Sequence, residues 1–333
     1  MKSEIVKSIT IEQNFYYQEV REKIENAKSI TILSHLNPDA DALGTALGIY
    51  AILKEHTQLK IEVVNASVVL PKYLDFLPYF SKLKNHMDYA DSLIISCDCG
   101  SIDRLGFALE RRDIINIDHH ASNTMYGSVN VVVENYASSS QVAFRLFEKL
   151  YTIRKEAATC FYAALLSDTI HFTTASVNHE VFTVAKALVE NGAKPDEIAS
   201  FMTQRKSLAS VRILEKALAS LTLYSDAKVA VLKVSQEDIL QTGATVSDMD
   251  GIVEFSRALV TVEIAIFAME LRDSVRVSLR SKQADVSKVA KSLGGGGHKL
   301  AAGFSVKKGD LEESIKQTLA KVKMLKSLSE SII

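Results

Sequence analysis

The segment SHLNPDADALGTALGI, residues 34–49, brings His35, Asp39 and Asp41 close together just before an apolar helical stretch. Two carboxylates at this spacing repel each other unless a positive charge lies between them. Histidine and aspartate are also ligands that divalent cations accept in proteins. The segment therefore indicates a cation site, with a helix N-cap as the alternative role for Asp39 or Asp41.

Further potential ligands follow two later β-rich segments and one apolar helical pattern. They are Asp98 after DSLIIS (91–96), Asp118, His119 and His120 after DIINI (113–117), and Asp168 at the end of AATCFYAALLSD. A carboxylate at the end of a helix meets the negative end of the helix dipole, so a nearby cation would explain Asp168. Ligand crevices of open α/β sheets lie at the carboxyl ends of the strands, so we expect these side chains to converge.

The elements that must position them form an α/β pattern. Continuous apolar runs are typical of strands buried on both faces of a parallel sheet. Strands are predicted at 29–34, 59–65, 91–96 and 113–117, and helices at 41–55, 138–151, 156–167 and 179–191. The sequence thus predicts an N-terminal parallel sheet with helices on both faces.

The second part of the chain has a different order of elements. It reads as strand 228–234, helix 247–258, strands 262–271 and 274–280, helix 285–293 and then the loop GGGGHKLAAG. Two consecutive strands joined at Arg272-Asp273 predict a mixed sheet in a smaller α+β domain. We expect a catalytic, metal-binding domain at 1–192, a linker with a bridging helix at 193–223, and a substrate-binding domain at 224–325.

Composition excludes several broad classes of protein. The 39 basic and 40 acidic side chains argue against non-specific binding to nucleic acid or to an anionic membrane. Residues 1–205 carry 20 basic and 25 acidic side chains and residues 206–333 carry 19 and 15, so the first part suits cations and the second suits anions. Three cysteines are too few for a disulfide framework, and no signal-peptide pattern or long apolar run is present. A cytoplasmic protein without membrane contact is expected.

The proposed ligands also indicate the kind of metal. Two histidines and four carboxylates form an oxygen-rich set, which favours Mn²⁺ or Mg²⁺, with Co²⁺ as a further option, over a sulfur-rich zinc site. The set is too large for one ion, whereas two ions about 3.5–4 Å apart and bridged by a carboxylate form a hydrolytic pair. Asp118 is expected to orient His119 or His120, because a functional imidazole needs a partner for its other ring nitrogen.

The glycine-rich segment offers an anion site in the second domain. It lacks the Walker pattern and the dinucleotide fingerprint, and a flexible turn is one alternative. Glycines with exposed backbone N–H groups can form a phosphate-binding concavity. The predicted substrate contacts are Gly294, Gly295, Gly296, Gly297, His298, Arg257 and Arg280, the two arginines serving to hold a phosphate or stack on a base.

Five ordered motifs, HLNPDADALGT, CDCG, IDHH, Asp168-Thr169 and GGGGHKLAAGF, together resemble the DHH phosphoesterase family with its DHH-associated C-terminal domain. The resemblance covers about residues 15–325 and is greatest to the two-domain oligoribonucleases, or nanoRNases. Ala40, Thr45 and Ile170-His171 depart from the glycine, serine and glycine that are usual there. The resemblance implies one Mn²⁺ at His35, Asp39 and Asp98, a second at Asp41, Asp98, His119 and Asp168, and His120 beside the scissile phosphate.

The resemblance implies Mn²⁺-dependent hydrolysis of very short oligoribonucleotides to mononucleotides, together with a 3′-phosphatase acting on adenosine 3′,5′-bisphosphate. Linear or cyclic dinucleotides of the pGpG, pApA or cyclic di-AMP type are alternative substrates, and a non-hydrolytic nucleotide-binding protein is an alternative of another class. We expect catalysis to depend on Asp98, Asp118 and His120. The second domain is expected to hold the nucleotide next to the scissile phosphate. A homodimer is one possible assembly of the chain.

Overall fold

A computed structural model describes residues 16–325. The chain forms two compact units, Met1–Arg205 and Lys206–Ile333, and each has a six-stranded sheet of its own. The division falls inside the segment 193–223 that was expected to be a linker. None of the described helices combines the length and the apolar character needed to cross a membrane.

The N-terminal unit contains all four predicted strands and all four predicted helices, along with elements that the sequence pattern did not indicate. In chain order, the helices and strands of this unit are α1 (16–26), β1 (Ser29–Ser34), α2 (Ala40–His56), β2 (Lys60–Val64), β3 (Leu83–Lys84), β4 (Leu93–Cys97), β5 (Ile114–Asp118), β6 (Val129–Val132), α3 (Ser139–Phe147), α4 (Lys155–Asp168), α5 (His179–Glu190) and α6 (Pro195–Thr203). Helix α6 begins at a proline, which is preorganised for the first helical position. It lies within the segment 193–223 that was expected to be a linker with a bridging helix.

The strands form one all-parallel sheet in the order β3-β2-β1-β4-β5-β6, which confirms the predicted parallel sheet. Strand β1 pairs with β2 on one side and with β4 on the other. The strand order therefore reverses between β1 and β4, and such a reversal opens a crevice at the carboxyl ends of the strands. The three segments that carry the predicted ligands follow β1, β4 and β5, which lie side by side.

The two faces of this sheet are covered differently. Alternate strand residues such as Ile32, Ile95 and Ile115 pack against the helices in the main core. Helices were expected on the opposite face as well, but the smaller apolar cluster there draws its non-strand members from loops and a 3₁₀ turn within residues 87–126. Buried Thr31 and Glu62 lie on that face and hydrogen-bond to each other at 2.8 Å, so it is partly polar and needs less apolar cover.

The C-terminal unit is built on the second six-stranded sheet. Its elements are α7 (Leu208–Ala219), β7 (Thr222–Tyr224), β8 (Val229–Val234), α8 (Gln236–Thr242), α9 (Ile252–Arg257), β9 (Ile264–Leu271), β10 (Ser274–Ser281), α10 (Val286–Ser292), β11 (Gly296–His298), β12 (Ala301–Lys307) and α11 (Leu311–Val322). The strand order is β11-β12-β10-β9-β8-β7. Strands β8 and β9 are parallel and the other neighbours antiparallel, which confirms the predicted mixed sheet.

Strand β10 shows how this sheet separates an apolar face from an open one. Val275, Val277 and Leu279 are buried in an apolar cluster, whereas the alternate residues Arg276 and Arg280 stay accessible to solvent. The prediction that residues 294–303 form a loop is wrong, because most of them form the β11–β12 hairpin at the edge of the sheet. Local glycine content suggested a turn, but pairing with β10 is a tertiary interaction that the local pattern does not show.

Candidate active site

The structure brings all six predicted metal ligands together in two sets. In each set, one ligand atom from every member lies within 4.8 Å of the others: His35, Asp39 and Asp98 form the first, and Asp41, His119 and Asp168 form the second. Asp98 faces both sets, with Oδ2 3.5 Å from His35 Nε2 and Oδ1 3.7 Å from His119 Nε2. One carboxylate can therefore serve two neighbouring ions.

The two aspartates of the first motif are held differently. Asp39 is the N-cap of α2 and accepts a hydrogen bond from Ala42 N at 3.0 Å, so the alternative N-cap role for Asp41 is excluded. Asp41 lies inside α2 and is fully buried. Its carboxylate accepts hydrogen bonds from the backbone N–H groups of Ser139 (2.6 Å) and Ser140 (3.0 Å), at the start of α3. The two carboxylates are thus anchored from different helices.

The backbone at Asp98 adopts a left-handed conformation, with φ of 56°. This conformation costs a non-glycine residue about 1–2 kcal/mol, although aspartate tolerates it better than most. A hydrogen bond from Asp98 N to Ile117 O (3.0 Å) and one from Ser139 Oγ to Asp98 Oδ1 (2.9 Å) hold the residue there. The backbone turn directs the carboxylate toward the histidines on either side.

Backbone carbonyls set the orientation of both ligand histidines. His35 Nδ1 lies 2.8 Å from Leu36 O, and His119 Nδ1 lies 3.2 Å from Tyr136 O. A carbonyl can only accept, so each Nδ1 directs a proton toward it and each Nε2 is turned toward the carboxylates, where it can bind a metal once it is deprotonated. His119 Nε2 is buried and has no hydrogen-bond partner in the described part of the chain. A buried nitrogen lone pair among carboxylates fits a metal ligand.

His120 has a different environment from His119. Its Nδ1 lies 2.7 Å from Asp118 Oδ1, and the other carboxylate oxygen of Asp118 accepts from Asn123 Nδ2 at 2.5 Å. Asp118 therefore orients the ring of His120. The sequence had left open whether Asp118 orients His119 or His120. His120 Nδ1 also lies 3.6 Å from Asp98 Oδ1, but this nitrogen carries the proton that is bonded to Asp118 and is therefore not free to bind a metal. Because Nδ1 is bonded to Asp118, the ring of His120 can transfer a proton through Nε2.

The charges of the site are poorly balanced without cations. Burial, followed by the nearby charges of Asp168 and Asp98, raises the pKa of Asp41 well above its usual range. Burial raises the pKa of Asp168 to about 6. Burial alone would lower the pKa of His119, but the carboxylate of Asp168, 3.4 Å from Nε2, and those of Asp41 and Asp98 outweigh it and raise the pKa to about 10. Asp41 and Asp168 thus favour protonation more than ordinary carboxylates do, and two divalent ions would relieve the same repulsion.

Two residues that the sequence analysis missed support this site. Ser139 Oγ donates to Asp98 Oδ1, and Asn123 holds Asp118. The run Ser138-Ser139-Ser140 carries an N-cap signal for α3, and Ser138 does accept from Gln141 N. No local signal indicates that Ser139 contacts Asp98, because the contact joins segments 41 residues apart.

In the C-terminal unit, the open face of the sheet collects several of the predicted substrate contacts. Arg280, Ala301 and His298 lie in one row across β10, β12 and β11, so their side chains point to the same face. At about 4.8 Å per strand, the backbones of Arg280 and His298 lie about 10 Å apart. Arg276 shares this face and is exposed to solvent, as an outward-facing strand residue is expected to be.

Two of the four predicted glycine contacts have structural roles instead. The N–H groups of Gly294 and Gly295 donate to Lys291 O (3.2 Å) and Ala290 O (2.9 Å), so the prediction that all four expose free N–H groups is wrong. A Cβ on Gly295 would lie 2.2 Å from Gly303 O, which explains the glycine there by packing. Gly296 differs, since a Cβ there would meet nothing within 4 Å and its φ is unexceptional.

The chain belongs to the DHH family: residues 29–165 match the DHH family, N-terminal domain, and residues 226–325 match the DHHA1 domain. It is similar to the bifunctional oligoribonuclease and PAP phosphatase NrnA of Thermus thermophilus, with 27% identity over 92% of this chain and 94% of that protein. NrnA of Bacillus subtilis is 25% identical over 84% and 89% of the two chains. An exopolyphosphatase-related protein from Bacteroides fragilis shares the fold, with a TM-score of 0.87 at 24% identity over 93% and 96%.

Proposed function

We propose that the protein is a metal-dependent phosphoesterase that hydrolyses very short oligoribonucleotides to mononucleotides and removes the 3′-phosphate of adenosine 3′,5′-bisphosphate. The observation that carries this proposal is the pair of ligand sets that share Asp98. Similarity to proteins named bifunctional oligoribonuclease and PAP phosphatase, over most of both chains, supports the substrate class. Every predicted ligand is present, which argues against a purely nucleotide-binding protein.

We further propose that the site holds two divalent ions, with Mn²⁺ preferred. The oxygen-rich donors, the unpartnered His119 Nε2 and the raised pKa of Asp41 support this assignment. The ions would be held by His35, Asp39 and Asp98 on one side and by Asp41, Asp98, His119 and Asp168 on the other. When bound, such a pair supplies an activated water and neutralises charge on the phosphoryl group.

The protein's own groups complete the chemistry. His120, oriented by Asp118, is placed to give a proton to the oxygen that leaves phosphorus. Asp118 favours the protonated imidazole, since a hydrogen bond to this carboxylate raises the pKa of His120 despite its burial. His120 is therefore ready to act as a general acid near neutral pH. Ser139, by donating to Asp98, holds the shared carboxylate in its bridging orientation.

We propose that the C-terminal unit holds the part of the substrate remote from the scissile bond. Arg280 and His298 share one open face, and Arg257 reaches the same carboxylate as Arg280, that of Glu254. Arginine pairs bind phosphate well, and a histidine about 10 Å away can contact an adjacent base or sugar. Gly296 and Gly297 lie on the hairpin edge beside His298. A contact set of this size suits a few nucleotides.

We also propose a cytoplasmic location. Cys97, Cys99 and Cys160 are all buried and unpaired, as is usual for a reducing compartment. Burial raises the pKa of Cys99 to about 11, which keeps this thiol unreactive at neutral pH. Fractionation of cells producing the tagged full chain would test the location.

One substrate panel tests the proposed activity. The purified full chain with Mn²⁺ is incubated with RNA of two to twenty-four nucleotides, pGpG, pApA, cyclic di-AMP and adenosine 3′,5′-bisphosphate, and kcat/KM is compared. We expect the highest values for RNA of about two to five nucleotides and measurable phosphate release from the bisphosphate. A clear preference for a linear or cyclic dinucleotide would replace the oligoribonuclease assignment, whereas tight binding without turnover would contradict an enzyme.

A further inference from the structure

Glu254, on helix α9, joins the two arginines of the C-terminal unit that were predicted from the sequence. Its Oε2 accepts from Arg257 Nε at 2.6 Å, and its Oε1 accepts from Arg280 Nε at 3.0 Å. Arg280 Nη1 also donates to Leu279 O at 3.0 Å. The Glu254 carboxylate thus accepts one hydrogen bond from the Nε atom of each arginine.

This geometry leaves the terminal nitrogens of both arginines available. Within residues 16–325, hydrogen bonds of the two side chains are recorded from Nε of Arg257 and from Nε and Nη1 of Arg280, and none from either Nη atom of Arg257 or from Nη2 of Arg280. The three side chains are also partly open to solvent, at 37% for Glu254, 36% for Arg257 and 33% for Arg280. Because a guanidinium binds phosphate through parallel N–H groups, these free nitrogens can receive an anion while Nε stays on Glu254.

The sheet around Arg280 provides little other support for its side chain. Its direct neighbours on the two adjacent strands are Ala265 and Ala301. Small neighbours cannot clamp a long aliphatic stem, and a free arginine side chain loses substantial rotamer entropy when it binds a ligand. The hydrogen bonds that hold this guanidinium are those to Glu254 and to Leu279 O.

We propose that Glu254 is a positioning residue that holds Arg257 and Arg280 as a preorganised pair for a nucleotide phosphate. The inference rests on the proposed function, since it concerns the same nucleotide-binding face. The carboxylate does not touch the phosphate. It fixes both guanidinium groups from behind and keeps their Nη atoms directed outward. A counter-anion that competes with phosphate for the same nitrogens would have the opposite effect on binding.

The test is Glu254→Gln in the full chain, with Glu237→Gln as a matched control, because Glu237 is an exposed residue on α8 that contacts Gln241. The two arginines contact different oxygens of Glu254, and glutamine replaces one of these oxygens with an NH₂ donor, so one guanidinium loses its acceptor. We expect KM for pApA to rise about tenfold in E254Q, in line with the loss of one charge-assisted hydrogen bond. Neither variant should change the hydrolysis of bis-p-nitrophenyl phosphate.

A coupling measurement separates positioning from a merely structural role. KM for pApA is compared in E254Q, Arg257→Ala and the double variant, with circular dichroism as the check on folding. If Glu254 acts through Arg257, the double variant should be little worse than Arg257→Ala alone. A lower KM in E254Q would show that Glu254 competes with phosphate, and independent losses in the double variant would show that it acts elsewhere. Either result overturns the proposal.

Direct binding distinguishes failure of this inference from failure of the proposed function. Binding of AMP to the full-length wild type and E254Q is measured by calorimetry in the presence of EDTA, where no hydrolysis takes place. Weaker binding by E254Q supports the positioning role even if no substrate in the panel is hydrolysed. Equal binding, with normal hydrolysis by the wild type, overturns the positioning role and leaves the proposed activity intact.

Discussion

His35 Nε2 and Asp98 Oδ2 lie 3.5 Å apart, at the adjoining carboxyl ends of β1 and β4. The second oxygen of the same carboxylate lies 3.7 Å from His119 Nε2, at the end of β5. Asp98 therefore stands between two nitrogen donors that three neighbouring strands bring to one edge of the sheet. This central position makes it the most informative residue to change.

Asp98→Asn should abolish the two-metal arrangement while preserving the fold. Asparagine tolerates the left-handed backbone at this position, so the substitution removes the charge without adding strain. Loss of a bridging ligand should lower metal affinity by more than the roughly 10–100-fold that follows mutation of a residue hydrogen-bonded to a ligand. Metal content by mass spectrometry and the rate on pApA check this. Asp103→Asn, an exposed neighbour in sequence, serves as the control, and an active, fully metallated Asp98→Asn would contradict the shared-ligand assignment.

Substitutions of the two adjacent histidines, His119 and His120, should differ in their effects on bound metal. His120→Ala should lower kcat by roughly 10²–10⁴ with bound metal unchanged, because its ring is hydrogen-bonded to Asp118. His119→Ala should lose metal as well as activity, since it removes the unpartnered Nε2. Titration of Mn²⁺ against both variants distinguishes them. The roles are reversed if His120→Ala loses metal and His119→Ala keeps it.

Metal binding should weaken as the pH falls. The pKa of His119 is raised to about 10 in the metal-free protein, so at pH 7 its ring holds a proton that metal must displace. Below about pH 6, Asp168 takes up a proton as well, and the decline in apparent affinity should become steeper. Calorimetry at pH 7 in PIPES and in Tris should show release of at least one proton per chain. A binding enthalpy that is independent of the buffer would contradict this.

Substrate contacts in the C-terminal unit should matter only for substrates that reach them. Arg280→Ala or His298→Ala should lower kcat/KM for a dinucleotide by about tenfold or more, because binding of a remote group contributes to catalysis. Hydrolysis of bis-p-nitrophenyl phosphate should change little. Arg272→Ala, at the exposed β9–β10 turn, is the matched control. Equal losses on both substrates would rule out a substrate-holding role.

The glycines of the hairpin should divide into structural and accessible positions. Gly295→Ala places a Cβ 2.2 Å from Gly303 O and should destabilise the fold by about 1–3 kcal/mol, measured by urea denaturation. Gly296→Ala meets no neighbour within 4 Å and should fold normally. A higher KM for pApA is the one change expected in Gly296→Ala. Equal destabilisation by the two substitutions would contradict the distinction.

Local sequence patterns were sufficient for the two sheets and for the convergence of the six side chains proposed as metal ligands. The runs 29–34, 91–96 and 113–117 are continuous and apolar, and the corresponding strands pair in parallel. Strands that pair in parallel must end at the same edge, so residues that follow them meet there whatever the intervening loops contain. Ligand types and short spacings therefore determined which side chains converge. The orientation of each side chain does not follow from these local patterns.

Tertiary structure alone decided how those side chains are paired. Asp118 orients His120 and not His119, Glu254 joins Arg257 to Arg280, and the glycine-rich segment pairs as a hairpin edge. Each of these depends on hydrogen-bond geometry fixed only when distant or adjacent segments pack in one particular way. Sequence by itself determined the strand ends and the chemical types gathered there, because these follow from local hydrophobicity and backbone direction. The packed structure decided which donor meets which acceptor, because hydrogen bonds depend on distances of a few tenths of an ångström.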